Sequence, residues 1–388
     1  MQHILALPVS ITSLASFSPL GNSPDLVWQS YLDDTTRIRT IGFGNKAALG
    51  APLTEDVKRQ VKTLRETESR YASLDDSVLY AIIASRQAVA AAGWQSGDDF
   101  GINIGSSRGA TGLFEKYYSE LINTGATATQ ASPTTTLGNI ASWVAQDLKS
   151  SGPDISHSIT CSTALHAVLN GVAWLGSGMA QKFLVGGSEA PLTPFTIAQM
   201  QAMKIYASKE SDYPCLAMDL TKKSNSMVLG EGAAAACLVP GRVPNALGYI
   251  EGVGYATEAL KHSVSISANA ECLQKSMQMA ITGINPAEVD AVVMHAPGTV
   301  KGDLSEYNAV KAVFGESLPL LTTNKWKTGH TFGASGLLSL ELGLMMIQHN
   351  RFIDVPYLAP QKQTKDIKKV LVNAVGFGGN AVSILISR

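Results

Sequence analysis

The sequence predicts an α/β protein of two similar halves, and three observations carry that expectation. Apolar runs of strand length alternate with segments of helical periodicity along nearly all of the 388 residues. The strand runs are apolar throughout rather than alternating, which places them in sheets covered on both faces. The order of elements recurs from about residue 247 onward, after a first series that ends near residue 240. No short-period repeat, low-complexity segment or linker interrupts the chain, so the halves 1–240 and 241–388 are expected to pack together.

Composition narrows the function classes. The chain is 45% hydrophobic, enough for a large core. A formal net charge of −1 implies no general attraction to nucleic acid or to an anionic membrane. Cys161, Cys215, Cys237 and Cys272 are dispersed and form no CxxC pair. That points away from a zinc ribbon or a disulfide framework and fits a reducing, cytoplasmic setting. Residues 1–15 are apolar, yet they lack a basic leader region and Pro8 interrupts them, so they read as a first buried strand. No uninterrupted apolar run reaches about 18 residues, so no membrane span is expected.

In order, Ser18-Pro19-Leu20-Gly21 ends the first strand in a turn. Residues 55–70 carry Lys58, Arg59, Lys62, Arg65 and Arg70, either a solvated helix face or a basic docking patch. Residues 74–93 read as a helix ended by Gly93, and 100–105 as a buried strand entering a Ser/Gly turn. Residues 114–122 and 137–148 look helical, and 182–185 form a strand closing on Gly186-Gly187-Ser188-Glu189. A loop and an apolar run containing Gly230-Glu231-Gly232 fill 219–238. Then come a strand from about 247, a helix at 268–283, a strand at 291–295 and a helix at 306–314. A strand at 318–323, a helix at 337–350 and late strands near Val370 and Val382 complete the chain.

Four stretches carry chemistry. A short apolar approach runs into Cys161, after which Leu165, Val168, Leu169, Val172 and Leu175 mark one face of a helix. Cys161 therefore sits at a turn opening a helix, where unpaired N–H groups and the dipole favour a thiolate. The competing reading is a small buried hydrophobe, the commoner fate of a free cysteine. His295 ends a buried strand and enters a Gly/Pro loop, where α/β folds place their sites; a structural histidine is the alternative. Lys325 and His330 share a loop rich in small residues, without the GxxxxGK[ST] of a phosphate loop. Asn373-Ala374-Val375-Gly376-Phe377-Gly378-Gly379-Asn380 can turn sharply, presenting N–H groups to a ligand or only reversing the chain. A cysteine at a helix start with two histidines at strand ends suggests thioester chemistry, in which imidazoles donate to a developing enolate oxygen. Metal binding is disfavoured by the absence of ligand spacing and of an accompanying carboxylate, so no metal is expected.

The order of these motifs resembles the β-ketoacyl-acyl-carrier-protein synthases of the thiolase superfamily. It runs Cys161, His-x-x-Gly-Thr-x-x-Gly-Asp-x-x-Glu from His295, Lys-x-x-x-Gly-His-x-x-Gly-Ala from Lys325, then Gly376-Phe377-Gly378-Gly379. The resemblance implies a thiolase-like five-layered αβαβα fold and a dimer, as a homodimer or with a chain-length-factor-like subunit. It implies that Cys161 takes an acyl group from the phosphopantetheine arm of an acyl carrier protein. His295 and His330 would promote decarboxylation of a malonyl thioester, with Lys325 as electrostatic support. The N–H groups of Cys161 and Phe377 would form the oxyanion hole and Phe377 the acyl gate, with Thr299, Phe377 and Gly378 along the pantetheine and substrate path. No diffusible cofactor is implied.

The chain departs from the family pattern in places. Pro297 stands where a threonine is usual, and a threonine before Asn380 is missing. Ser339 occupies the place of a glutamate expected near Lys325; Glu341 lies about 200° further round a helix and is no simple substitute. The chain is also somewhat short for the family. A divergent, elongating ketosynthase of a type II polyketide, polyene or specialised fatty-acid pathway is the expectation. Two alternatives stand. A non-catalytic chain-length-factor-like subunit usually lacks the cysteine. A thiolase-like coenzyme A acyltransferase would need a second cysteine near the C-terminus, whereas Cys272 is the last. Starter-unit enzymes of the family commonly carry asparagine for one histidine, so two histidines favour elongation. Carrier proteins are acidic, which makes the 58–70 cluster, or Lys204 and Lys209, candidate docking residues.

Overall fold

A computed structural model describes residues 5, 7–43, 46–137, 139–259 and 266–388; part of the 1–15 stretch lies outside them. The first half contains β1 (Val9–Phe17), α1 (Pro24–Leu32), β2 (Arg39–Phe43), β3 (Lys46–Gly50), α2 (Glu55–Thr67), α3 (Asp76–Ala91), β4 (Gly101–Gly105) and α4 (Thr111–Thr124). It continues through α5 (Ala131–Thr135), α6 (Asn139–Leu148), β5 (Asp154–Ile155), α7 (Thr163–Gly176), β6 (Phe183–Glu189), α8 (Pro194–Ala202) and β7 (Gly232–Pro240). The second half contains β8 (Gly248–Thr257), α9 (Glu271–Ala280), β9 (Ala291–Val293), α10 (Val300–Phe314), β10 (Leu320–Thr322), α11 (Lys325–Thr328), α12 (Ser335–Gln348), β11 (Lys369–Gly376) and β12 (Asn380–Ser387).

Two five-stranded sheets result, in the orders β1-β7-β6-β4-β5 and β10-β9-β11-β12-β8. Each mixes parallel neighbours, such as β4 with β6 and β9 with β11, with antiparallel ones, such as β6 with β7 and β11 with β12. Helices α7 and α12 lie between the sheets and touch each other. Their apolar faces, with Leu165, Val168, Leu337 and Leu340, merge with Val185 and Val372 into one central core. Helices α3 and α6 cover the outer face of the first sheet, and α9 with α10 that of the second. The layers are therefore αβαβα. Burial on both faces is why the strands read as continuous apolar runs.

Two features differ from the sequence expectation. Helix α10 begins at Val300, six residues before residue 306. Thr299 caps it, its Oγ1 accepting from Gly302 N at 3.2 Å, so Gly302 and Ser305, which read as loop residues, are helical. Helix α1 and the β2–β3 ribbon carry little periodic signal; α1 is set instead by the Ser23 cap and Pro24 at its first position.

Candidate active site

Cys161 lies between strand β5 and helix α7, directly before the Ser162 N-cap. The preceding residue, Thr160, has φ +47°. A β-branched residue is uncommon there and costs about 1–3 kcal/mol. Local hydrogen bonds hold it: Thr163 Oγ1 donates to Thr160 O at 2.6 Å, Ile159 N donates to Thr163 Oγ1 at 2.9 Å, and Ser162 Oγ donates to Ile159 O at 2.9 Å. Ala296, next to His295, and Phe332, two residues beyond His330, also take positive φ, at +26° and +40°. Three strained turns thus present the three side chains that the sequence singled out.

Those side chains converge. The sulfur and one ring nitrogen of each histidine lie within 4.8 Å of one another. The imidazoles meet edge to face with centroids 5.1 Å apart. Cys161, His295 and His330 are 6%, 4% and 2% exposed, on the wall of a cavity of about 630 Å³. Pro297, Thr299, Gly376, Phe377 and Phe332 also line it, with Lys223 and Lys301 exposed at its rim. Gly378 is exposed in the β11–β12 turn and does not line this cavity. Gly376 brings the end of β11 against the cysteine turn. A Cβ there would sit 1.9 Å from Thr160 Oγ1 and 3.2 Å from Cys161 N, so glycine is required.

Each histidine is fixed through its backbone. His295 N and Ala296 N donate to the two carboxylate oxygens of Glu306 at 2.8 and 2.7 Å. Asp303 supports the same loop from α10, accepting from Gly298 N and from the buried Lys222 ammonium. His330 N donates to Val228 O at 2.6 Å. The Nδ1 atoms of both rings are buried and unpaired among the described residues. Desolvation, with the Lys325 charge added, holds both imidazoles well below the usual range, hence neutral.

The cysteine differs from the sequence expectation. Burial pushes its thiol up to about 12; Glu189 adds to this, while Lys325 and Arg108 oppose it. The helix start is present, but desolvation outweighs its dipole, so the resting group is a thiol. Glu189, at the end of β6, accepts from Ser107 N and from Gly333 N, tying the β4 turn to the turn after His330. Burial raises it to about 8. The sequence marked Glu189 only as the end of the Gly186-Gly187-Ser188-Glu189 stretch and did not mark Arg108, because each acts on the thiol across the sheet.

Lys325 is buried and drawn down to about 8 by desolvation. Its Nζ donates to Asn324 Oδ1 and Ser339 Oγ, each at 3.3 Å. Glu341 points elsewhere on α12, toward Ser16 and Tyr31, as the 200° of rotation requires. The 58–70 cluster is neutralised locally: Lys58, Arg59, Lys62, Arg65 and Arg70 each pair with a neighbouring carboxylate. Among the described residues only Cys161, His295 and His330 gather as a possible metal-ligand set.

Fold and site together define a thiolase-like condensing-enzyme scaffold. A ketosynthase and chain-length-factor structure of ishigamide synthesis covers 98% of this chain and 99% of its own at 19% identity, with a TM-score of 0.84. A type II polyketide ketosynthase, in complex with its acyl-carrier protein and bound to a hexaketide, gives 0.85 at 19% identity over 98% and 99%. The model of the β-ketoacyl synthase N-terminal domain matches residues 6–242, and that of the C-terminal domain residues 247–356. The 3-oxoacyl-[acyl-carrier-protein] synthase 2 of Coxiella burnetii is 27% identical over 98% of both chains, and that of Staphylococcus aureus strain COL 26% over 97% of both. The chain belongs to the β-ketoacyl synthase family and is an acyltransferase of the ketosynthase type. No helix among the described residues is long and apolar enough to cross a membrane.

Proposed function

We propose that the protein is an elongating β-ketoacyl-acyl-carrier-protein synthase working through Cys161. The observation that carries this reading is the convergence of Cys161, His295 and His330 within 4.8 Å on one buried cavity. The halves 1–240 and 241–388 divide the work: the first supplies the nucleophile, the second the imidazoles, Lys325 and the Phe377 turn.

In the first step a neutral imidazole takes the Cys161 proton as sulfur attacks the carrier thioester. The N–H groups of Cys161 and Phe377 receive the oxyanion. Collapse expels the carrier thiolate, which takes up the proton. A malonyl carrier then binds, its pantetheine arm passing Pro297 and Thr299. His295 and His330, neutral and therefore N–H donors, hold the thioester oxygen while carbon dioxide leaves. The enolate carbon attacks the acyl group on Cys161, the sulfur departs as thiolate and takes a proton from water, and the lengthened 3-oxoacyl chain leaves on the carrier. Burial keeps both imidazoles neutral, and the Lys325 charge adds to that effect. The pantetheine arm arrives on its carrier, and no diffusible cofactor enters the scheme.

The carrier partner rests on the cavity's lining and on Lys223 and Lys301 at its rim, which meet an acidic partner or a phosphate. The pathway is of the type II polyketide, polyene or specialised fatty-acid kind, with a second copy of the chain or a chain-length-factor-like subunit as the dimer partner. The test is intact-protein mass after incubation with acyl carrier proteins, wild type beside Cys161→Ala. An acyl mass gain on wild type alone supports the reading. Equal labelling of both proteins overturns Cys161 as nucleophile. No labelling, even with a co-expressed ketosynthase-like partner, favours a non-catalytic subunit.

A further inference from the structure

The packing around Cys161 is apolar: Ile197, Met200, Met227, Leu229 and Phe332 form one buried cluster with the cysteine, and Met227 and Phe332 also line its cavity. One charge lies against this cluster. The Arg108 guanidinium lies over the Phe332 ring, 5.6 Å from its centroid, and is one of two cations that act on the Cys161 thiol. Its Nη2 donates to Gln199 on α8. Among the described residues no carboxylate lies within ion-pair distance of it. Arg108 also lines a second cavity of about 290 Å³, with Phe114, Thr135, Phe195 and Gln199.

We propose that Arg108 selects the acyl group carried by Cys161, favouring chains that bear oxygen acceptors over plain hydrocarbon chains. This rests on Cys161 being the acyl carrier residue, as proposed above. A guanidinium offers five N–H donors, and a neutral glutamine uses only part of them. A saturated chain extending past Phe332 would press methylenes on that cation and strip water from unsatisfied donors, which is unfavourable. A chain with a ketone or carboxylate oxygen at that depth satisfies them instead. The flanking aromatic side chains Phe332, Phe114 and Phe195 still accept the carbon skeleton. The selected class is therefore an oxygenated acyl thioester, with either a keto group or a terminal carboxylate as the acceptor.

The experiment uses pantetheine thioesters of equal chain length: octanoyl, oxo-octanoyl and suberyl. Initial rates of Cys161 acylation are read by intact mass for wild type, Arg108→Leu, Arg108→Lys and Gln199→Ala. Wild type is expected to take at least one oxygenated chain about tenfold or more faster than octanoyl. Preference for suberyl alone marks the anion as the recognised group; preference for both marks the oxygen acceptor. Arg108→Leu abolishes the preference by accelerating octanoyl, a gain that a damaged protein would not show, and Arg108→Lys retains part of it. Gln199→Ala, which leaves the cation in place, keeps the preference and serves if Arg108→Leu does not fold. Wild-type preference for octanoyl, or a ratio in Arg108→Leu within about twofold of wild type, overturns the proposal. If no thioester labels wild-type Cys161, the nucleophile assignment itself fails, a result distinct from labelling without selectivity.

Discussion

The Lys325 ammonium rests 3.3 Å from the Ser339 hydroxyl, with Asn324 Oδ1 as its other acceptor and no carboxylate within ion-pair distance among the described residues. A buried cation held by neutral oxygens alone loses hydration without gaining a counter-charge, and its pKa falls to about 8. Glu306, then Cys215, Cys161 and Asp303, are the groups that pull the other way.

This relationship places a titration in the working range. The amine is charged below about 8 and neutral above it. Its charge acts on His295, His330 and Cys161 and favours negative charge developing on an enolate held beside them, so decarboxylation of a malonyl carrier should slow as pH climbs through that value. In Ser339→Glu the new carboxylate beside Nζ retains the proton, and the alkaline limb should move up by about one unit or more. A pH–rate profile of carbon dioxide release decides it; an unmoved limb would assign the titration to another group.

Glu189 opposes ionisation of Cys161. Glu189→Gln removes that charge while keeping an oxygen for Ser107 N or Gly333 N. Iodoacetamide alkylation of Cys161 at mildly alkaline pH should accelerate severalfold, since a fall of one pKa unit in this range raises the thiolate fraction about tenfold. Alkylation followed by mass tests this, and an unchanged rate would separate Glu189 from thiol activation.

Lys223 and Lys301 stand at the rim of the Cys161 cavity without a carboxylate partner among the described residues. Charge reversal at both should raise KM for carrier-bound substrates about five- to twentyfold at low salt and much less at high salt. Turnover of small thioesters should stay near wild type. Charge reversal at Arg65 and Arg70, which are already paired with Asp76 and Glu68, should change carrier turnover little.

Gly376→Ala forces a methyl group into the Thr160 hydroxyl. The expected cost is about 1–3 kcal/mol of stability. Because the displaced atoms belong to the Cys161 turn, acylation should fall by far more than the melting temperature suggests. Thermal melts beside acylation rates distinguish local displacement from general unfolding.

The convergent sulfur and ring nitrogens also predict inhibition by zinc at about micromolar concentration, reversed by chelator and weakened in Cys161→Ala. Inhibition should deepen with pH, because the thiol must lose its proton to coordinate. Zinc titration against acylation rate is the measurement.

Periodicity marked most of the strands and helices because two-sided burial makes them uniformly apolar, and Gly93 and the Ser18–Gly21 turn marked their ends. Helix α10 was read short because Thr299 caps it from within a glycine-containing segment, a fact set by one side-chain hydrogen bond. The ribbon β2–β3 was missed because it is short and largely exposed.

By itself the sequence determined the α/β class with sheets covered on both faces and the candidate site side chains, since both are written in local pattern: apolar runs, a cysteine before a helix, histidines after strands. Only the tertiary structure decided how those side chains behave. Desolvation overrides the helix dipole at Cys161, and rotation along α12 gives Lys325 a hydroxyl while sending Glu341 toward Ser16. Packing across the first sheet brings Arg108 and Glu189 to bear on the thiol. Proton affinity depends on what surrounds a group in space, and residues distant along the chain supply those surroundings.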